Sequence, residues 1–213
     1  MKKLSVLLVA VIIMLSLFGC GNGEQLARET AEGFLSAYCE LDIQKMMGFV
    51  DDASNLPDDV KDFSMEKIMG EFPEELKAYT GEFEKVVNVF FDKAKEKMSY
   101  SIKESAEIEG GYEFVVDITQ ADFENSEFED KLTESLSTEK ATEIVNELLS
   151  SGAITYQSTQ EEIYNALVPK VVSIMEEVVN GLEIATKTEQ GTVVVIEKDG
   201  QWFVSADKTN IEY

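Results

Sequence analysis

Tyr100-Ser101-Ile102-Lys103-Glu104-Ser105-Ala106-Glu107-Ile108-Glu109-Gly110-Gly111-Tyr112-Glu113-Phe114-Val115-Val116-Asp117-Ile118 is the stretch whose pattern decides the fold. Apolar side chains recur at every second position, Tyr100, Ile102, Ala106 and Ile108 before the glycines and Tyr112, Phe114, Val116 and Ile118 after them, which is the period of a half-buried β-strand. Both strands therefore want their even residues on one face. A two-residue Gly-Gly turn would set even residues against odd ones, so the pattern predicts a three-residue loop pairing Ile108 with Tyr112. That register places Lys103 opposite Asp117 on the outer face and leaves Glu104 as the one acid on the apolar face, opposite Val116.

A second hairpin closes the chain. Ile184 to Ala206 reads as β, and Lys198-Asp199-Gly200-Gln201 is a type I′ turn that pairs Ile196 with Phe203 and Val195 with Val204. Both of its faces are apolar, so it is expected to be central in a sheet or to meet a partner. Helices are read elsewhere: a first from about Glu24 to Leu41, a short one over Asp42 to Val50, and a long one after Pro73 whose stripe is Leu76, Tyr79, Phe83, Val87, Phe90, Ala94 and Met98. Thr80-Gly81 is a point of interruption in that helix, and its wide aromatic stripe suits a helix lying across a sheet. Ala141, Ile144, Val145, Leu148 and Leu149 form another stripe. Ile163, Leu167, Val171, Ile174, Met175 and Val178 form the last, opened by Ser158-Thr159-Gln160-Glu161 as a capping box and kinked or broken at Pro169.

This order predicts an α+β fold: a curved antiparallel sheet of about four strands wrapped around N-terminal helices, with a helical segment between the two hairpins. Asp51 to Asp62 reads as an acidic loop without the alternating acids and Gly of a calcium-binding loop.

Met1-Lys2-Lys3, the apolar run Leu4 to Phe18, and Gly19-Cys20 have the layout of a secretory signal. Leu17-Phe18-Gly19-Cys20 resembles the lipobox of bacterial lipoproteins, which implies lipidation of Cys20 after cleavage. Fifteen apolar residues fall short of the roughly 20 needed to span a bilayer. Residues 1–19 are thus read as signal peptide, 20–25 as lipidated tether, 26–208 as a single α+β domain and 209–213 as a frayed tail.

The net charge of the 213-residue chain is −24, and losing Lys2 and Lys3 with the signal makes it more negative still. Such a surface repels phosphate backbones and anionic lipid, which excludes nucleic acid as a partner. Histidine is absent, which removes His-based triads, His general bases and His-ligated zinc. No phosphate loop, nucleophile elbow, dinucleotide fingerprint or Cys-x-x-Cys is found, and no cofactor or metal is expected. Cys39, off the apolar centre of the first helix set by Ala27, Phe34, Tyr38 and Leu41, reads as a packing residue rather than a nucleophile.

Ala31-Glu32-Gly33-Phe34-Leu35-Ser36-Ala37-Tyr38, then Leu41-Asp42-Ile43-Gln44-Lys45-Met46, and the ending Val193-Val194-Val195-Ile196-Glu197-Lys198-Asp199-Gly200-Gln201-Trp202 resemble lipoproteins of Gram-positive bacteria with a nuclear transport factor two-like (cystatin-like) domain of unknown function. The resemblance covers about Leu26 to Asp207, and the chain departs from the pattern in placing Phe203 after Trp202. It implies a cone of sheet and helices, with Phe34, Phe90, Tyr100, Tyr112 and Trp202 as lining of an apolar cavity. It supplies no catalytic residues.

Three roles follow as expectations. The first is a non-catalytic module, lipid-anchored on the extracytoplasmic face of the cell membrane, that binds a ligand or protein. A second is an enzyme of the ketosteroid isomerase kind, using Glu104 with Tyr100 or Tyr112, since a carboxyl on an apolar wall has its pKa raised. Against that stands a bend or bulge near Glu104 that lets it reach water. The third is a structural module that docks or dimerises through Val194, Ile196 and Phe203, against which stands burial of that face under the helices between Phe123 and Gly181.

Overall fold

The computed structural model describes residues 23–56, 60, 67, 70, 72–122 and 127–211. The signal segment, Cys20 and residues 57–59, 61 and 62 of the acidic stretch lie outside these residues, as do the last two of the tail. Among the described residues, six α-helices and four strands form an α+β fold whose strands make one antiparallel sheet in the order β1-β2-β3-β4. β1 is Ser99–Ile108, β2 Gly111–Asp122, β3 Ala185–Lys198 and β4 Gln201–Val204. The described residues group into two compact units, one falling within 1–61, 99–119 and 188–213, the other within 62–98 and 120–187.

In the first unit, α1 (Gly23–Cys39) buries Ala27, Ala31, Phe34, Leu35, Ala37 and Tyr38. It packs on β1 and β4, and the same unit completely buries Phe114, Val116, Val195 and Val204. Each such aromatic or aliphatic side chain contributes about 1.5–3 kcal/mol by leaving water. α1 ends in a Schellman turn: Asp42 N–H donates to the Ala37 carbonyl and Leu41 N–H to the Tyr38 carbonyl, both at 3.0 Å, with Leu41 at φ 53° where glycine is usual. The carboxylate of Asp42 then caps α2 (Ile43–Met47) by accepting the Lys45 N–H at 2.9 Å.

The edge of β4 is closed by the chain that follows α2. Val204 N–H donates to the Phe49 carbonyl at 2.8 Å and Asp51 N–H to the Val204 carbonyl at 3.0 Å, a short parallel bridge that covers the strand edge at Val204. Past β4 the chain returns to β3. Thr192 and Asn210 exchange backbone hydrogen bonds at 2.8 Å, Thr209 Oγ1 accepts the Val194 N–H, and Ile211 is buried. Residues 209–211 thus lie against β3 and the core of this unit.

The C-terminal hairpin has the expected register, Ile196 with Phe203 and Val195 with Val204, around Asp199 and Gly200, both at positive φ as a type I′ turn requires. The first hairpin differs. Its turn is the two residues Glu109 and Gly110, so Ile108 pairs with Gly111 and Glu107 with Tyr112, not Ile108 with Tyr112. The even-to-even match is recovered farther along by a β-bulge at Lys103: Glu104 pairs with Val115, then Ile102 with Val116 and Tyr100 with Ile118. One extra residue in the strand does what the sequence pattern assigned to the loop. Lys103 still meets Asp117, Nζ to Oδ2 at 3.1 Å, although the backbone partner of Asp117 is Ser101.

The second unit is helical. A 3-10 helix over Glu74–Tyr79 gives way at Thr80 to α3 (Thr80–Lys95), which accounts for the interruption read at Thr80-Gly81. α4 (Phe128–Ser135), α5 (Thr138–Ser150) and α6 (Gln160–Asn180) follow. The principal partner of α3 is α6 rather than a sheet. Their shared core is Phe83, Val86, Val168, Val172 and Val179. The Nζ of Lys93 donates to the carbonyls of Asn180 and Leu182, a cation on the orphan carbonyls at the end of α6. The capping box of α6 sits one residue later than expected, with Thr159 and Glu162 as its members. α6 also runs unbroken through Pro169.

Candidate functional site: an aromatic and acidic groove

Both hairpins carry the same short pattern. Glu107-Ile108-Glu109-Gly110-Gly111-Tyr112 and Glu197-Lys198-Asp199-Gly200-Gln201-Trp202 each read Glu, any residue, acid, Gly, any residue, aromatic. In each, the Gly at positive φ closes the turn and the first Glu is the cross-strand partner of the aromatic. Directly opposed residues share a face, so each aromatic shares its face of the sheet with a glutamate. Glu197 N–H donates to the Gly110 carbonyl at 3.1 Å, which holds the two turns side by side.

The result is an open groove of about 490 Å³ at the turn end of the sheet, lined by Gly23, Glu107, Tyr112, Glu197, Asp199 and Trp202 among others. Tyr112 and Trp202 form its floor, ring centroids 5.8 Å apart and planes tilted by 48°. None of its lining residues is Lys or Arg. Deeper in the same unit, the Arg28 guanidinium lies 5.6 Å above the Phe114 ring. A groove of this chemistry offers π faces and carboxylates to an organic cation.

The five residues expected to line a cavity are distributed differently. Tyr112 and Trp202 meet in the groove. Phe34 is completely buried in the core of the first unit, and Tyr100 donates its hydroxyl to the Glu32 carbonyl of α1 at 3.3 Å. Burial, and then the negative charge of Glu32, push the Tyr100 phenol above its ordinary range. Phe90 belongs to the helical unit, where its ring packs against Phe128 at 5.3 Å and Phe91 at 6.0 Å.

Glu104, Tyr100 and Tyr112 are not brought together. The bulge pairs Glu104 with Val115, while Tyr112 and Tyr100 lie with the even residues of β2 on the other face. Glu104 is exposed rather than set on the apolar wall, as a bulge there predicts.

Cys39 is half-buried, and burial, reinforced by the charge of Glu40, pushes its thiol up to about 11. It is a packing residue. Val194 is buried, whereas Ile196 and Phe203 remain partly exposed as a cross-strand pair. Among the described residues there is no cluster of metal-ligating side chains and no helix long and apolar enough to cross a membrane.

The repeated Glu-to-aromatic pattern was the signal in the sequence for this site, and alternation alone does not reveal it. Comparison with known proteins finds no matching family model, no matching curated protein and no matching solved structure.

Proposed function

We propose that this chain is a lipid-anchored, extracytoplasmic binding module that recognises an ammonium or guanidinium group in the Tyr112–Trp202 groove. The anchor is an acylated Cys20, read from the signal and lipobox pattern of residues 1–20. The fold is read as a nuclear transport factor two-like cone on the order helix, hairpin, helical segment, hairpin. The single observation that carries the binding role is the pairing of each groove aromatic with its own glutamate, Glu107 with Tyr112 and Glu197 with Trp202. A cation placed there gains ring quadrupole and carboxylate together, and a partly desolvated site strengthens both.

Trp202 is the one tryptophan in the chain, so its emission reports the groove directly. The domain from Gly21 onward is titrated with choline, with acetyl-lysine amide and with a short lysine peptide. Saturable change in Trp202 emission is expected with at least one of these, weakened about tenfold, or about 1.4 kcal/mol, in Glu107→Gln and Glu197→Gln. Flat emission with all three probes, or binding indifferent to both substitutions, overturns the assignment.

A further inference from the structure

We infer that the turn end of the sheet, with Tyr112 and Trp202, is the face of the first unit that meets the bilayer, and that it fits a zwitterionic rather than an anionic lipid surface. This rests on the reading that Cys20 is acylated. The argument begins from covalent reach. α1 starts at Gly23, and Gly23 lies at the groove: a Cβ there would stand 3.4 Å from Tyr112 Oη and 3.6 Å from Trp202 Cζ2. Cys20 is three residues upstream, and three residues span at most about 11 Å when fully extended. An acylated sulfur at position 20 has its chains in the hydrocarbon and its backbone at headgroup depth, a zone roughly 5–8 Å thick on each side. The aromatic pair is thereby confined to the headgroup region or immediately above it.

The residues at that end suit the location. Tyr and Trp carry an apolar body and a polar tip, and they concentrate at membrane interfaces. Both rings are half-buried in the protein and present their remaining surface in the groove. The surrounding charge selects among lipids: Glu107, Glu197 and Asp199 line the groove and Glu24 opens α1, where Ser105 Oγ donates to its carboxylate at 2.7 Å. Anionic headgroups repel this surface. Zwitterionic headgroups do not, and their ammonium ends match the groove chemistry.

The test uses the full acylated protein, its mass verified, reconstituted in phosphatidylcholine vesicles with and without a spin label at shallow depth. Trp202 emission is expected to shift to shorter wavelength than in the lipid-free domain, to be quenched by the shallow label, and to be shielded from aqueous iodide. Inserting about ten Gly/Ser residues between Asn22 and Gly23, which leaves the fold untouched and adds roughly 16–19 Å of root-mean-square reach, is expected to abolish most of that contact. Replacing part of the phosphatidylcholine by phosphatidylglycerol is expected to weaken it. Acylated protein whose Trp202 is as open to iodide as in the lipid-free domain and blind to the lipid label overturns the orientation while leaving the anchor standing. Contact strengthened by phosphatidylglycerol overturns the lipid preference, and an unmodified thiol at position 20 overturns anchor and orientation together.

Discussion

Gly111 lies so close to Val195 that a Cβ on it would collide with the Val195 carbonyl oxygen and stand 2.9 Å from the Ile196 Cα. Two strands far apart in sequence thus meet backbone to backbone at the head of the groove. Its neighbour Gly110 is needed for a different reason: φ is +79° and the space around it is open. Gly111→Ala is expected to cost about 3 kcal/mol, because backbone rather than a mobile side chain must move. Gly110→Asn, which tolerates the left-handed region, is expected to cost well under about 1 kcal/mol. Urea denaturation of the two variants checks this, and equal losses would contradict it.

Pro169 sits inside α6, exposed, with no N–H to give the preceding turn. Pro169→Ala restores one helical hydrogen bond and removes a steric conflict without uncovering any core. It is expected to stabilise the chain by about 1–3 kcal/mol. An unchanged or lower denaturation midpoint would show that the proline is accommodated at no cost.

The thiol of Cys39 is held protonated to about pH 11, above its ordinary value of 9.0, first by burial and then by Glu40. The sign of the linkage follows: the unfolded chain loses this proton near pH 9 and the folded chain does not, so stability present below pH 9 falls as pH rises toward 11. In the domain from Gly21 onward Cys39 is the sole thiol. Alkylation by iodoacetamide is expected to be slow at pH 8 and to rise with a midpoint near 11. A rate at pH 8 equal to that of the unfolded chain would contradict the assignment.

Much of the fold was legible in local pattern. The Asp199-Gly200 turn was readable because its chemistry demands positive φ at both positions, and that turn alone fixes the pairing of Ile196 with Phe203. The first hairpin was harder. Even-to-even matching across Glu109-Gly110-Gly111 can be met by lengthening the loop or by a bulge, and what decides between them is the packing of Gly111 against Val195, a contact between residues 84 positions apart. The same limit applies to Phe90, whose place in an amphipathic stripe does not say whether a sheet or a helix covers it; α6 is the principal partner of α3. The capping box slipped by one residue since Ser158 and Thr159 are both competent caps, and the Thr155 N–H engages Ser158 instead. The groove was legible in principle, through the doubled Glu-x-acid-Gly-x-aromatic pattern, but only once the two hairpins are seen to be neighbours.

The central claim is that the mature chain begins at an acylated Cys20, from which the extracytoplasmic address and the orientation of the groove both follow. Intact mass spectrometry of the protein extracted from its native membrane measures this most directly. The account predicts a chain starting at Cys20 whose mass exceeds that of residues 20–213 by a diacylglyceryl group, with or without a further N-acyl chain. A free thiol at position 20, or a chain that retains Met1, would contradict it.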